Sequence, residues 1–513
     1  MTDSSAGLSR RRFLTNTCIL TGSVASLPQR LIADVVAPIS TSPSTPGAAN
    51  DVLGNRPLQL QPGVPQYFFD DSLISHQRRL IRRWLPAVIN PQPVLLPDKP
   101  WEQRQIQLHG SILPAPDGGY RIYYAGGGNV LVAFSPDGLT WHKPELDIVP
   151  WEGRPSNILI QGLTKTKYWS VASINVIHDD QDKQYPYKLT SFQKPVDGKE
   201  GGLFVYQSKD GLRFEEIPGM RFEMGDRNTM MGSRVNGKFV GYVRKVRMFK
   251  NVGVRSVHYT ESENFLDWTE PQLVLAPDLQ DDPDVEFYGM AVFKRHDWFI
   301  GLLENWRADT DVMEVQLAFS RDGKHWQRPQ PRVTFIGPTY DWNQSWNNCA
   351  SNGPIFLKEQ MAFYFGGNSV GHHFSTTRRS GAIGLASLEL DRFCALEGTT
   401  EQGWVDTIPL IWPGGELVVN ADTRESFVSH PTKANGTLYV EVLDASGAQL
   451  PEWSGQKKRA TFQGNTHCRE NIADGTVRWP GGRNLDPFIG RPIRLRFVMK
   501  HARLFTFEAK HAF

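Results

Sequence analysis

The chain has 513 residues, with 56 Lys and Arg against 54 Asp and Glu, a formal net charge of +2 and 40% hydrophobic residues. That length allows more than one domain and a large core. The balanced charge gives no sign of a nucleic-acid surface. Four scattered cysteines without a Cys-x-x-Cys pair argue against a zinc or iron–sulfur site, and with Cys18 in the N-terminal leader three remain, enough for at most one disulfide.

At the start of the chain, Ser9-Arg-Arg-Arg-Phe-Leu14 precedes a weakly apolar stretch and a small-residue exit near Ser23-Val-Ala25. This resembles a twin-arginine export signal, a removable address that implies a folded protein delivered to the periplasm or outside. Residues 1–35 are read as that leader. No other apolar stretch nears the ~20 residues of a membrane span. Residues 36–61, rich in Pro, Ser and Gly, read as a mobile linker. The basic cluster Arg78, Arg79, Arg82 and Arg83 reads as a solvated or ion-paired segment.

From there a phrase recurs. Ser135-Pro-Asp-Gly-Leu-Thr-Trp141 returns as Ser208-Lys-Asp-Gly-Leu-Arg-Phe214 and as Ser320-Arg-Asp-Gly-Lys-His-Trp326, with worn copies at Ser262-Glu-Asn-Phe-Leu-Asp-Trp268 and Ser387-Leu-Glu-Leu-Asp-Arg-Phe393. Asp-Gly after an alternating run is a hairpin corner, because Gly accepts a positive φ without steric cost. Each corner follows three runs rich in aromatic and β-branched residues, such as Tyr120-Arg-Ile-Tyr-Tyr-Ala125 and Trp298-Phe-Ile-Gly-Leu-Leu303. Four strands per unit and five units predict a five-bladed β-propeller over 62–403. Beyond Pro409-Leu-Ile-Trp-Pro-Gly-Gly415 the pattern breaks into short strands, which read as a C-terminal β-sandwich over 404–513. The fold expected is all-β throughout.

Propeller geometry puts the start of each innermost strand and the end of each second strand at one funnel mouth, away from the Asp-Gly corners. Register then nominates His109, Arg227, Asn228, Arg244, Trp306, Asn348 and Asn368 for substrate binding. Among carboxylates, Glu286 and Glu304 fall at that mouth, and Asp70-Asp71 precede the first unit within reach of it. Paired carboxylates are what glycoside hydrolysis needs: one protonates the leaving oxygen, the other attacks or activates water. The expected roles are Asp71, with Asp70 as its substitute, as nucleophile or base; Glu286 as acid; and Glu304 as modulator or alternative acid. Asp137, Asp210 and Asp322 of the corners are read as structural.

The corner phrase, Phe68-Phe-Asp-Asp-Ser-Leu-Ile74, Asp284-Val-Glu-Phe-Tyr-Gly-Met290 and Ile489-Gly-Arg-Pro-Ile-Arg-Leu-Arg-Phe497 together resemble the glycoside hydrolase family 32, 43 and 68 group, above all its exported bacterial family-32-like members. The resemblance covers about residues 66–513 and implies a propeller–sandwich enzyme acting on poly- or oligosaccharides. The chain departs from that family's nucleophile motif, holding Phe69-Asp-Asp-Ser-Leu in its place. A non-catalytic carbohydrate-binding propeller, with Trp306, Trp342 and Trp346 as platforms, is the alternative, because fold does not imply function. A cofactor-dependent enzyme ranks last. No cofactor or catalytic metal is expected, and a structural calcium at the propeller axis is an option no motif supports. The expected partner is carbohydrate alone, bound by a monomer.

Overall fold

The computed structural model describes residues 57–162, 171–194, 202–222, 224–249, 252–373, 380–423, 436–462 and 471–511, all within the compact unit Leu53–Phe513. The export leader, most of the linker, Cys18 and Cys468 lie outside them. The described residues hold strands and single 3₁₀ turns, and no α-helix. None is a helix long and apolar enough to cross a membrane.

Among the described residues the strands form six sheets. Two are simple four-stranded meanders: Val171–His178, Tyr187–Gln193, Gly202–Ser208 and Phe214–Phe222, then Asn228–Met230, Phe239–Phe249, Val252–Ser262 and Gln272–Leu275. A five-stranded sheet precedes them, around the hairpin Tyr120–Gly126 and Asn129–Ser135. A nine-stranded sheet follows. Its halves, around Val285–Ser320 and around Trp346–Glu389, touch through one parallel pair, Met313 with Trp346. Alternation explains these strands: Ile122, Tyr124, Leu131 and Ala133 feed one core cluster while Tyr123, Ala125, Val130 and Val132 feed the next. Both faces of these sheets are therefore covered by neighbours.

The three intact corners are built alike. The serine Oγ accepts the glycine N–H at 2.8 Å (Ser135, Gly138), 3.0 Å (Ser208, Gly211) and 2.9 Å (Ser320, Gly323). The aspartate Oδ1 accepts the next two N–H groups at 2.8–2.9 Å in each copy. These bonds hold the Asp322 carboxyl below the usual range, although burial opposes them. In the worn copy Asn264 takes the aspartate's part, accepting from Leu266 and Asp267, and Phe265 takes the glycine's place at φ 69° with its ring fully buried. Non-glycine residues rarely hold such a φ. Here the buried ring, packed against Phe239 and Trp268, offsets the strain. In the fifth copy the pattern dissolves: the positive φ moves to Asp391, whose carboxylate binds Tyr67 and Arg295 instead.

Each intact corner is also fastened by a tyrosine from another sheet. Tyr123 donates to the Gly211 carbonyl at 3.0 Å, Tyr242 to Gly323 at 2.9 Å and Tyr364 to Gly138. The last of these joins the end of the repeat region to its beginning.

The thirteen-stranded sheet differs from expectation in its membership. It contains the C-terminal strands, and also Leu58–Gln59, Gln66–Tyr67, Ile74–Arg78, Leu80–Trp84 and Cys394–Gly398. Leu58 pairs with Leu410, Gln66 with Phe507, Ile74 with Thr407, and Leu80 with Gly398. Segments assigned by position to the linker and the repeats thus close the C-terminal core around Trp412, Phe497 and Phe507. The basic cluster is ion-paired there: Arg82 with Asp71, Arg83 with Glu397, Arg79 with Glu401. Cys349 and Cys394 are free, buried thiols, and burial raises the pKa of both.

Candidate functional site

Five segments meet edge to edge through hydrogen bonds that run in a cycle. Ile174 N donates to His109 O and Val176 N to Ser111 Oγ. Asn228 N donates to Ser173 Oγ and Met230 N to Asn175 Oδ1. Thr229 Oγ1 donates to Met290 O. Glu304 accepts from Cys349 N at 3.2 Å, and Ser351 N donates to Gly110 O at 2.8 Å. The nominated side chains Asn228, Asn348 and Asn368 are all buried in this cycle: Asn175 Nδ2 donates to Asn228 Oδ1, Asn348 Nδ2 to Leu108 O, and Gln105 Nε2 to Asn368 Oδ1. His109, also buried, supplies its carbonyl. Buried amides here splice segments together. One acceptor, Asn348 Oδ1, has no partner among the described residues.

The densest chemistry lies where Asp226–Asn228, Val285–Arg295 and Trp298–Arg307 come together. Arg227 and Glu304 are both fully buried, 0% exposed, and joined by two bonds: Nε to Oε2 at 2.8 Å and Nη2 to Oε1. Burial alone would depress the Arg227 pKa, but the Glu304 charge outweighs it and raises it. Gly289 makes the approach possible, since a Cβ there would stand 2.7 Å from Glu304 Oε2 and 2.8 Å from Arg227 Cγ. Arg227 Nη1 is buried with no partner among the described residues.

Around this pair stand three aromatic rings, Tyr288, Trp306 and Trp346, with centroids 4.9–6.3 Å apart. Arg244 stacks over Tyr288 at 4.4 Å and pairs with Asp226; Arg255 stacks over Trp306 at 4.8 Å. Glu286 accepts from Arg255 twice, from Nη1 at 2.8 Å and from the backbone N–H at 3.1 Å. Trp306 Nε1 donates to Asp311 at 3.1 Å, and His372 stacks on Trp346 at 5.1 Å.

Register explains why Glu286 and Glu304 belong together. Glu286 sits opposite Trp306 across the hairpin, and Glu304 is two residues from Trp306, so all three share one face. A bulge at Tyr288 interrupts the ladder between them, so that Gly289 stands opposite Glu304. Of the residues nominated from sequence, the structure therefore brings together Arg227, Arg244, Glu286, Glu304 and Trp306.

It does not bring Asp70 or Asp71 to them. Asp71 is 65% exposed and bonded to Arg82 in the thirteen-stranded sheet. Asp70 accepts from Ser72 N at 3.0 Å, a local turn, and its charge acts on Arg321 at a corner. Arg321 stacks on Trp298, at the far end of the Trp298–Arg307 strand from Glu304. Trp342 is a fastener: it stacks on Phe365 and donates to Pro91 O. Sequence reasoning missed Asp226 and Arg255. The signal for Arg255 was available: Phe239–Phe249 and Val252–Ser262 are eleven residues each, long enough to carry a ribbon past their neighbours to the site. Among the described residues no group of three or more His, Cys, Asp or Glu side chains is placed to hold a metal ion.

No family model and no curated protein matches this chain. Among solved structures it is similar to an N-acetylgalactosamine deacetylase from F. plautii in complex with blood group B trisaccharide, at 14% identity and a TM-score of 0.42, covering 62% of this chain and 97% of that one. It is similar to a glycosyl hydrolase from Bacteroides ovatus, at 13% identity and 0.42, covering 60% and 95%. It is also similar to a beta-1,2-mannobiose phosphorylase from Listeria innocua in complex with beta-1,2-mannobiose, at 11% identity and 0.42, covering 61% and 97%.

Proposed function

We propose that this chain is an exported carbohydrate-active protein, a glycoside hydrolase built on a five-bladed β-propeller with a C-terminal β-sandwich, and that its sugar site is the face shared by Glu286, Trp306 and Glu304. One observation carries the reading: two carboxylates and an indole lie on one face of a hairpin, with two guanidiniums stacked on the adjoining rings. The five-step cycle of hydrogen bonds and the Tyr364–Gly138 contact support the propeller. The twin-arginine-like leader supports delivery to the periplasm or beyond.

In this reading the roles shift from those the spacing suggested. Glu286, which keeps a solvent-facing edge, takes the proton-transfer or nucleophilic part, with Arg255 holding it in place through two hydrogen bonds. Glu304 is a positioning residue: its two bonds to the buried Arg227 fix the hairpin end beneath the rings. Indole and phenol rings pack against the apolar faces of sugars, and stacked arginines bind hydroxyls. Asp71 and Asp70 have no part.

A second reading, a carbohydrate-binding propeller without turnover, is favoured by one feature. Glu286 and Asp311 are each engaged by N–H donors of neighbouring groups, so neither carboxylate is left free for a substrate. The experiment is a screen of the purified chain against aryl glycosides and polysaccharides, with glycan binding measured in parallel. Sugar release that Glu286→Gln abolishes and Asp71→Asn leaves intact is expected. Binding without release, unchanged by Glu286→Gln, would establish the second reading, and release that depends on Asp71 would overturn the site.

A further inference from the structure

The strands that carry Glu286 and Glu304 end, on their other side, in a separate cavity of about 510 Å³. It opens between the Asn236 turn and the Asp322 corner, with Phe299 in its wall. Phe299 precedes Glu304 by five residues on one strand, so the two sites lie about 17 Å apart.

Four cations line this cavity, Lys238, Lys294, Arg321 and Lys324, against two carboxylates, Glu261 and Asp322. Both carboxylates are already committed. Glu261 accepts Lys238 Nζ and Tyr259 Oη at 2.6 Å each, with Lys324 Nζ at 3.7 Å. Asp322 is held by its own corner: the N–H groups of Lys324 and His325 and the His325 ring. Lys294 and Arg321 are left without an ion pair among the described residues. Each is held over a ring, Arg321 3.7 Å from the Trp298 centroid and Lys294 5.7 Å from that of Phe299. Asp70 and Asp297 act on Arg321 only from a distance, and burial lowers its pKa despite them. Two oriented, uncompensated cations on one wall form an electrostatic trap for an anion. The volume suits a sugar-sized ligand.

We propose that this cavity binds the acidic group of a carboxylated or sulfated sugar, as a site independent of Glu286. The anion preference stands on the cavity alone; the sugar part rests on the carbohydrate reading above. The test is titration calorimetry on the full chain with glucuronate, glucose 6-sulfate, neutral glucose and inorganic sulfate. Both acidic sugars should saturate the site, and added salt should weaken them. Arg321→Gln and Lys294→Gln should each leave the circular dichroism spectrum unchanged and weaken binding about tenfold. Glu286→Gln should leave it unchanged. Inorganic sulfate binding as tightly as the sugar sulfate would overturn the sugar part while keeping the anion site. Glucose binding as tightly as glucuronate, or acidic-sugar binding untouched by both variants, would overturn the proposal, whatever becomes of the Glu286 reading.

Discussion

The two ends of the hairpin Val285–Arg295 and Trp298–Arg307 are made from the same strands and do opposite work. At one end stands a single, unrepeated cluster in which Glu304 and Arg227 share a fully buried ion pair beneath stacked arginines and indoles. At the other end stands a corner repeated three times with nearly the same bond lengths. The repeated end is where the fold is fastened. The unrepeated end is where side chains are spent on something other than the fold. A buried ion pair is weak evidence for stability, since the cost of desolvating both charges rivals their attraction. Its presence at the one place without repetition is why that place reads as functional.

The comparison can be broken most severely at Glu304. Glu304→Gln should leave the Arg227 charge buried and uncompensated, costing about 3–5 kcal/mol in denaturant unfolding. A loss below about 1 kcal/mol would mean that the pair is not the dry bridge seen here. Next comes the tyrosine lock. Tyr242→Phe strips the buried Gly323 carbonyl of its donor and should cost about 1–3 kcal/mol, with glycan binding at the Glu286 face unchanged. If binding falls with it, the two ends are coupled and the contrast between them fails.

Acid should act on the ion pairs that tie the sheets. Burial would raise the Glu397 pKa, but the bonds from Arg83 and Arg503 outweigh it and lower it. Arg234 likewise lowers that of Asp179. Carboxyls with depressed folded pKa values bind fewer protons folded than unfolded. Their contribution is therefore present above the unfolded carboxyl range near about pH 4 and lost as pH falls below it. Glu397→Gln should lower stability at neutral pH and flatten the acid-side decline, read from urea midpoints across that range. An unchanged acid limb would remove Glu397 from the account. The smallest effect should come from Asp71→Asn. Its exposed bond to Arg82 predicts a stability change within about 0.5 kcal/mol and no change in glycan binding or turnover.

How much of this was legible in the chain follows from the range of each interaction. The corners were readable because they are local: Ser135, Asp137 and Gly138 bond within four residues, so spacing alone encodes them. Even the Phe265 copy could be placed, although only the structure shows a fully buried ring at a left-handed backbone position. The polar ends of the strands were readable too, because strands that alternate in direction bring the start of one and the end of the next to the same rim, and that brought Glu286, Glu304 and Trp306 into view; their shared face came from the pairing register.

What the sequence by itself determined was the repeat, the all-β class and the short inventory of polar residues at strand ends, since each depends on neighbours a few positions apart. Only the tertiary structure decided partnerships across long separations. Arg227 meets Glu304 across 77 residues and Arg255 meets Glu286 across 31. Tyr364 reaches Gly138 across 226. The segment with Asp70 and Asp71 joined the C-terminal sheet, away from the site its sequence position suggested. Hydrogen-bond register and buried charge pairing set these choices, and both are settled by which surfaces exclude water together, a property no local window of residues contains.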